Sequence, residues 1–368
     1  MKLFEILNKF TVVFVSAAIA LQSPQATQGD YNPQQQEEEE CRQTNSSSSV
    51  PIDFLSKDPN GKCEDKQQQE PKKCPSIPLS IRNPHKDISA NQLCEIASTC
   101  PESLLPTLSS LWVQTYSSEI EMRHLERTLL RITENGTLGR AIKGFNDGLK
   151  ERERSNGPLP PQVKEEISKL VLLPIVESNW KGGRSPKGAH GLYQFTRPTA
   201  KMYGLIQYKY NNGKLVGITD NRHKTYESAK AAAQLFYDLY SRIGDLNLAL
   251  SAYNSGVPFK YLRSASKSEE TSYLNYLRFI ADAGCIKPFR SEGNLRENLN
   301  YPSKVWAAFS VINSNYPVIL EYVKKPSENN KVRALEALLS NKSRKELATN
   351  KYFSGSRRPP FKKVLAVQ

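Results

Sequence analysis

The chain has 368 residues, with 51 Lys and Arg against 37 Asp and Glu, a formal net charge of +14. Length admits either two domains or one domain with long tails, and the positive charge suits a polyanionic partner. The sequence has no Ser-His-Asp order, phosphate loop or His-Glu-x-x-His helix, so esterase, nucleotide-binding and metalloprotease functions have no motif to rest on.

Residues 1–21 begin with Lys2 and Lys9, continue as an apolar run from Phe10 to Leu21 and offer Ala18-Ile19-Ala20 as a cleavage site. That is the pattern of a secretory signal peptide, although Glu5 is unusual in one. The apolar core is too short for a transmembrane helix. The first cysteine, Cys41, lies well beyond the cut, so neither a lipid anchor nor a stable membrane span is expected. The mature protein is expected to be periplasmic or otherwise exported.

Residues 22–84 are rich in Gln, Glu, Ser, Asn, Pro and Lys, too polar to offset the entropy of ordering, and read as a low-complexity, disordered segment. The cysteines stand at 41, 63, 74, 94, 100 and 285. In an exported protein they can form disulfides, with Cys94 and Cys100 a candidate short loop, and the connectivity is open. With no Cys-x-x-Cys pair and with His85, His124, His190 and His223 scattered, no metal site and no cofactor are expected.

Apolar positions at three- and four-residue steps, among them Leu104, Leu111, Leu125, Leu129 and Ile132, predict a helical lead-in over 85–155. The stretch 151–161 carries the Gly and Pro punctuation of a boundary. A helix is expected from Pro161 to Glu177, kinked by Pro174. Tyr208 to Val216 predicts a short hairpin around Asn211-Asn212-Gly213. Thr225 is expected to cap a helix with a small Ala229, Ala232, Ala233 face that ends near Gly244. A second helix, 246–253, is expected to end on left-handed turns at Asn254 and Gly256. No segment sustains two-residue alternation, so the fold is mainly α. Residues 324–368 hold twelve Lys or Arg against three Glu and read as a basic C-terminal tail, either solvated or drawn to an anionic cell wall.

The chemistry converges on Glu177. It ends the apolar run 170–176, where desolvation disfavours the charged carboxyl and raises its pKa toward that of a usable proton donor. Downstream come, in order, Glu177-Ser178, Ser185-Pro186, Gly188-Ala189-His190-Gly191-Leu192-Tyr193-Gln194, Pro198-Thr199-Ala200 and Ala252-Tyr253-Asn254-Ser255-Gly256. Each is weak alone, but their joint order is specific. Residues 158–323 therefore resemble the catalytic domain of family 1 lytic transglycosylases, nearest the membrane-bound lytic transglycosylase D group.

The resemblance implies a lysozyme-like, goose-type domain and peptidoglycan glycan strands as substrate. It also implies that Glu177 acts as acid and then base, with formation of a 1,6-anhydro sugar. Ser178, Ser185 and Gln194 would line the sugar groove; loop capping is the competing reading for the last two. Tyr253 and Asn254 match a pair facing the catalytic Glu, against a core aromatic beside a capping Asn. Glu297 and Tyr301 resemble a segment closing the groove, with Asn298 in place of the family's Thr, and Glu297 is the candidate second carboxylate of a hydrolase. Trp180 reads as structural. A lysozyme-type hydrolase and a non-catalytic wall-binding scaffold, tied to envelope or secretion machinery, are the alternatives; nucleic acid is not expected as a partner.

Overall fold

The computed structural model describes residues 55–57, 63–65, 74–78, 81–212, 214–264 and 271–340. The signal-peptide reading and the end of the basic tail lie outside the described residues. Two units divide the chain, 1–75 and 76–368. Within the first, β1 (Leu55–Lys57) and β2 (Cys63–Asp65) pair antiparallel, so the segment expected to be disordered holds a short hairpin.

The second unit is helical. A lead-in comprises α1 (Pro84–Asp87), α2 (Ala90–Thr99), α3 (Pro101–Tyr116), α4 (Glu119–Glu134) and α5 (Thr137–Asn156). Next come α6 (Pro161–Lys169), a 3-10 turn (Leu170–Leu172), α7 (Pro174–Ser178) and α8 (Arg197–Met202). Strands β3 (Ile206–Asn211) and β4 (Lys214–Asp220) form an antiparallel hairpin with an irregularity at Lys209/Tyr210. The remainder is α9 (Thr225–Ile243), α10 (Leu246–Asn254), α11 (Val257–Ser264), α12 (Tyr273–Asp282), α13 (Glu292–Asn315), α14 (Pro317–Lys324) and α15 (Glu328–Ser340).

The lead-in helices share one core with α9 and α13. In α5, Gly144 and Gly148 are one turn apart, and a Cβ on either would lie 2.3 Å from a backbone carbonyl of α9, that of Tyr226 or Lys230. Two glycines on one helix face the alanines of the other, including Ala233, and so the axes approach closely. Farther round, Trp112 of α3 donates its indole N–H to Asn300 of α13 at 3.0 Å, and Ser303 donates to the carbonyl of Leu105 at 3.2 Å.

Several expectations require correction. The single helix to Glu177 is broken at the 3-10 turn, because Pro174 has no N–H to continue the ladder and starts α7 afresh. Lys224, not Thr225, occupies the α9 N-cap, and Gly244 closes that helix in the left-handed region at φ 79°. Helix α10 runs to Asn254 and ends on an extended Ser255, so neither Asn254 nor Gly256 takes the left-handed turn expected of it. The proximal tail is ordered: Ser327 Oγ accepts from the Asn330 N–H, and α15 buries Ala334 and Leu338, which supply the apolar face that a solvated tail lacks.

Cys94 is bonded not to Cys100 but to Cys285, across 191 residues, and Cys100 lies in another disulfide. Helix α2 is thereby fastened to the segment after α12. Because a long loop is closed, replacing Cys94 and Cys285 with Ser is expected to lower unfolding stability by ~2–5 kcal/mol in denaturant titration under oxidising conditions. Equal midpoints for both forms would remove the disulfide from the stability account.

Candidate functional site

Helix α7 is only five residues long, and what it does is aim Glu177. Beyond it, Asn179 and Trp180 both adopt left-handed backbone, at φ 47° and 57°, a conformation that is costly for a residue as large as Trp. The turn is held because the Trp180 N–H reaches the Pro174 carbonyl at 3.0 Å and the indole is buried. Trp180 is structural, and its strained turn reverses the chain directly after the carboxylate. Ser178 donates to the carbonyls of Pro174 at 3.3 Å and Leu192 at 3.0 Å. It therefore ties α7 to the glycine loop.

Glu177 is half-buried. Its Oε1 accepts a hydrogen bond from the hydroxyl of Tyr301 on α13. Burial raises the carboxyl's pKa; the Tyr301 hydrogen bond and the Lys304 charge pull it down, and the charge of Glu297 pushes it up, with the net result raised. Lys304 stands one turn beyond Tyr301. Its ammonium lies 5.6 Å from the Trp112 ring centroid and 3.5 Å from the Val176 carbonyl. Desolvation lowers its pKa against the charges of Glu177, Glu297 and Glu121. A phenol hydrogen bond and an ammonium charge thus act on the carboxyl, both supplied by α13.

Tyr253 of α10 stacks toward Tyr301, with centroids 6.3 Å apart, and against Phe236 at 4.8 Å. Its hydroxyl donates to the Tyr193 carbonyl, so it supports the glycine loop and does not bond the carboxyl. Tyr193 is fully buried and donates to the Val171 carbonyl at 3.0 Å. Asn254, half-buried, is the last residue of the helix that carries Tyr253.

Gln194 is also left-handed, at φ 47°, and its amide donates to the carbonyls of Gly183 at 2.8 Å and Gly191 at 2.7 Å. Ser185 Oγ accepts from the Ala189 N–H at 3.0 Å. Both side chains cap the loop. Across from the loop, exposed Lys187 pairs with Glu297 at 3.0 Å and donates to Asn294 at 3.3 Å, fastening the loop to α13. Asn298, where the family resemblance has Thr, is fully buried; it accepts from Tyr276 at 2.7 Å and donates to the Ser251 carbonyl and Ser255 Oγ, both at 2.9 Å.

Three functional neighbours are not legible in the sequence pattern. Lys304 follows Tyr301 by one turn of α13, and packing of α3 on α13 brings the Trp112 ring to 5.6 Å from its ammonium. The third is a clasp: Arg222, 3% exposed, is held by Asp220 at 2.7 Å and donates to the carbonyls of Phe195 at 3.0 Å and Gly188 at 3.2 Å. The pair holds the Asp220 carboxyl down to about 2. Gly191 lies against the same segment: a Cβ there would sit 1.8 Å from the Arg222 carbonyl oxygen. The Asp-x-Arg spacing at the hairpin's end is the one signal of it in the chain. On the lead-in side, Tyr116, Glu121 and His124 line a crevice with Ile175 and Asn179, so α3 and α4 wall the region beside Glu177.

Residues 162–274 match the family model described as Transglycosylase SLT domain. No curated protein matches the chain. The matched stretch takes in Glu177, the glycine loop, the Arg222 clasp and Tyr253, and it stops before Glu297, Tyr301 and Lys304. Its lysozyme-like fold, with the mainly α architecture around it, is consistent with a family 1 lytic transglycosylase, a class of enzyme that acts on peptidoglycan.

Proposed function

From the premise that residues 162–274 are a transglycosylase SLT domain, we propose that the protein is an exported lytic transglycosylase. It cleaves the β-1,4 bond between N-acetylmuramic acid and N-acetylglucosamine and leaves 1,6-anhydro ends. The observation that carries the proposal is one carboxyl of raised pKa, that of Glu177, held by Tyr301. Glu297, the other carboxylate whose charge acts on Glu177, is engaged by Lys187 at the surface, whereas a hydrolase uses its second carboxylate as base or nucleophile.

Glu177 gives its proton to the leaving glycosidic oxygen as the bond from that oxygen to the anomeric carbon breaks. Positive charge develops on the muramic ring. The ring's own 6-hydroxyl oxygen then bonds the anomeric carbon, and its proton passes to the Glu177 carboxylate, which restores the enzyme. The Tyr301 hydroxyl orients the carboxyl in both steps, and the Lys304 charge stabilises the carboxylate between them. Release of soluble muropeptides from purified peptidoglycan tests the reading, and an inert wild-type protein would contradict it.

Lys304 sets the pH range. Its positive charge lowers the Glu177 pKa, and Glu177 must be protonated to start, so activity falls as pH rises through that pKa. In Lys304→Met the pKa rises further, and the alkaline limb of kcat/KM is expected to move to higher pH. Lys304→Arg is expected to restore the wild-type limb. An unmoved limb in Lys304→Met would show that the ammonium does not tune the acid.

A further inference from the structure

Among the described residues, the exposed large hydrophobics are Ile120, Met202, Leu215, Val216 and Ile218. All but Ile120 fall on α8 and the adjoining hairpin. Val216 is 63% exposed, Leu215 50% and Ile218 48%, on a strand whose burial is otherwise at most partial. Scattered apolar side chains need no explanation, but this grouping does.

From α8 to Ile218 the charge has one sign, and Asp220, at the end of β4, is paired with Arg222. Residues 197–218 contain Arg197, Lys201, Lys209 and Lys214 and no Asp or Glu. Arg197 and Lys201 lie over the Tyr208 ring, at 6.0 Å and 5.3 Å, and Tyr208 is the cross-strand partner of Ile218. Cations thus border the aliphatic side chains directly. Two copies of such a surface repel each other, which disfavours self-association. A sugar polyanion matches the cations but gains nothing from Leu215, Val216 and Ile218, whereas the boundary between anionic headgroups and acyl chains rewards both.

We propose that the β3–β4 hairpin, with the end of α8, is a peripheral docking surface for an anionic lipid bilayer. No helix among the described residues is long and apolar enough to cross a membrane; the contact proposed is peripheral and made by exposed side chains. Docking through β4 also couples to the glycine loop, because Asp220 at the end of that strand holds Arg222.

The test is co-sedimentation of the full mature chain with vesicles of phosphatidylcholine alone and of phosphatidylcholine with phosphatidylglycerol. Wild type is expected to partition onto the anionic vesicles at least about tenfold more than onto the neutral ones. Leu215→Glu/Val216→Glu, on exposed positions, is expected to lower the anionic partition by about tenfold, with the thermal midpoint and activity on soluble glycan fragments retained. Arg197→Gln/Lys201→Gln should weaken it in parallel. Equal partition of wild type onto both vesicle types, or undiminished binding by the Leu215/Val216 variant, would overturn the proposal. So would a hairpin-dependent interaction seen with purified peptidoglycan and not with vesicles. Because activity is read on soluble fragments, failure of docking is separable from failure of the transglycosylase reading.

Discussion

Glu177→Gln is expected to lower the rate of muropeptide release by about 1,000-fold or more, since in the proposed mechanism one group serves as acid and then as base. The amide oxygen can still accept from the Tyr301 hydroxyl, so the fold should persist. It should even gain at neutral pH. Burial raises the folded-state pKa of Glu177, so the folded protein binds that proton more tightly than the unfolded chain does. The group's favourable contribution is then fully present below the unfolded carboxylate pKa and is lost as pH rises through the folded value. Gln does not ionise. The variant's thermal midpoint should equal or exceed that of wild type at neutral pH, and the two should converge on acidification. Wild-type turnover by the variant would remove Glu177 from the chemistry, and a collapsed fold would make the substitution uninformative about catalysis, which is why both quantities are measured.

Gly191→Ala carries the second large effect. The new Cβ would stand 1.8 Å from the Arg222 carbonyl oxygen on a backbone at φ 84°. Backbone cannot yield as a side-chain tip does, so loop or clasp must move. A destabilisation of about 3 kcal/mol or more is expected in denaturant titration. Activity should fall with it, because Tyr193 and Gln194 lie just beyond it in the displaced loop. Gly188→Ala is the control: it has φ 80° but nothing within 4 Å of the added carbon, so only the conformational penalty of about 1 kcal/mol remains. If the two variants lost equal stability, the close approach to Arg222 would have no energetic weight.

The contrast shows what is legible in the chain. Glu177, the glycine loop and the Tyr253 segment are local patterns, and local patterns survive in one dimension. So do the helical periodicity of the lead-in and the two strands of the hairpin. The alanine face of α9 announces that a helix will come close; that it is α5, through Gly144 and Gly148, requires the third dimension. Lys304, at the end of the Glu297–Lys304 segment, has no role legible in the chain; the packing of α3 on α13 places its ammonium over the Trp112 ring.

Other expectations fail for physical reasons that spacing does not encode. Cys94 and Cys100 are close along the chain, but Cys94 lies within α2 and Cys100 is the junction between α2 and α3, and the long-range partner Cys285 prevails. Ser185 and Gln194, read as sugar-groove residues, also hold the loop's backbone. Those contacts keep a strained loop in place, and the strain at Asn179, Trp180 and Gln194 is gathered around the carboxyl, as it is in many functional sites.

In the reaction proposed for this chain the muramic 6-hydroxyl, and not water, completes the cleavage. Mass spectrometry of the soluble products from purified peptidoglycan reads this directly. Muropeptides ending in 1,6-anhydro-N-acetylmuramic acid, formed by wild type and absent with Glu177→Gln, are the predicted result. Reducing-end muropeptides, heavier by one water, would contradict it and make the protein a hydrolase.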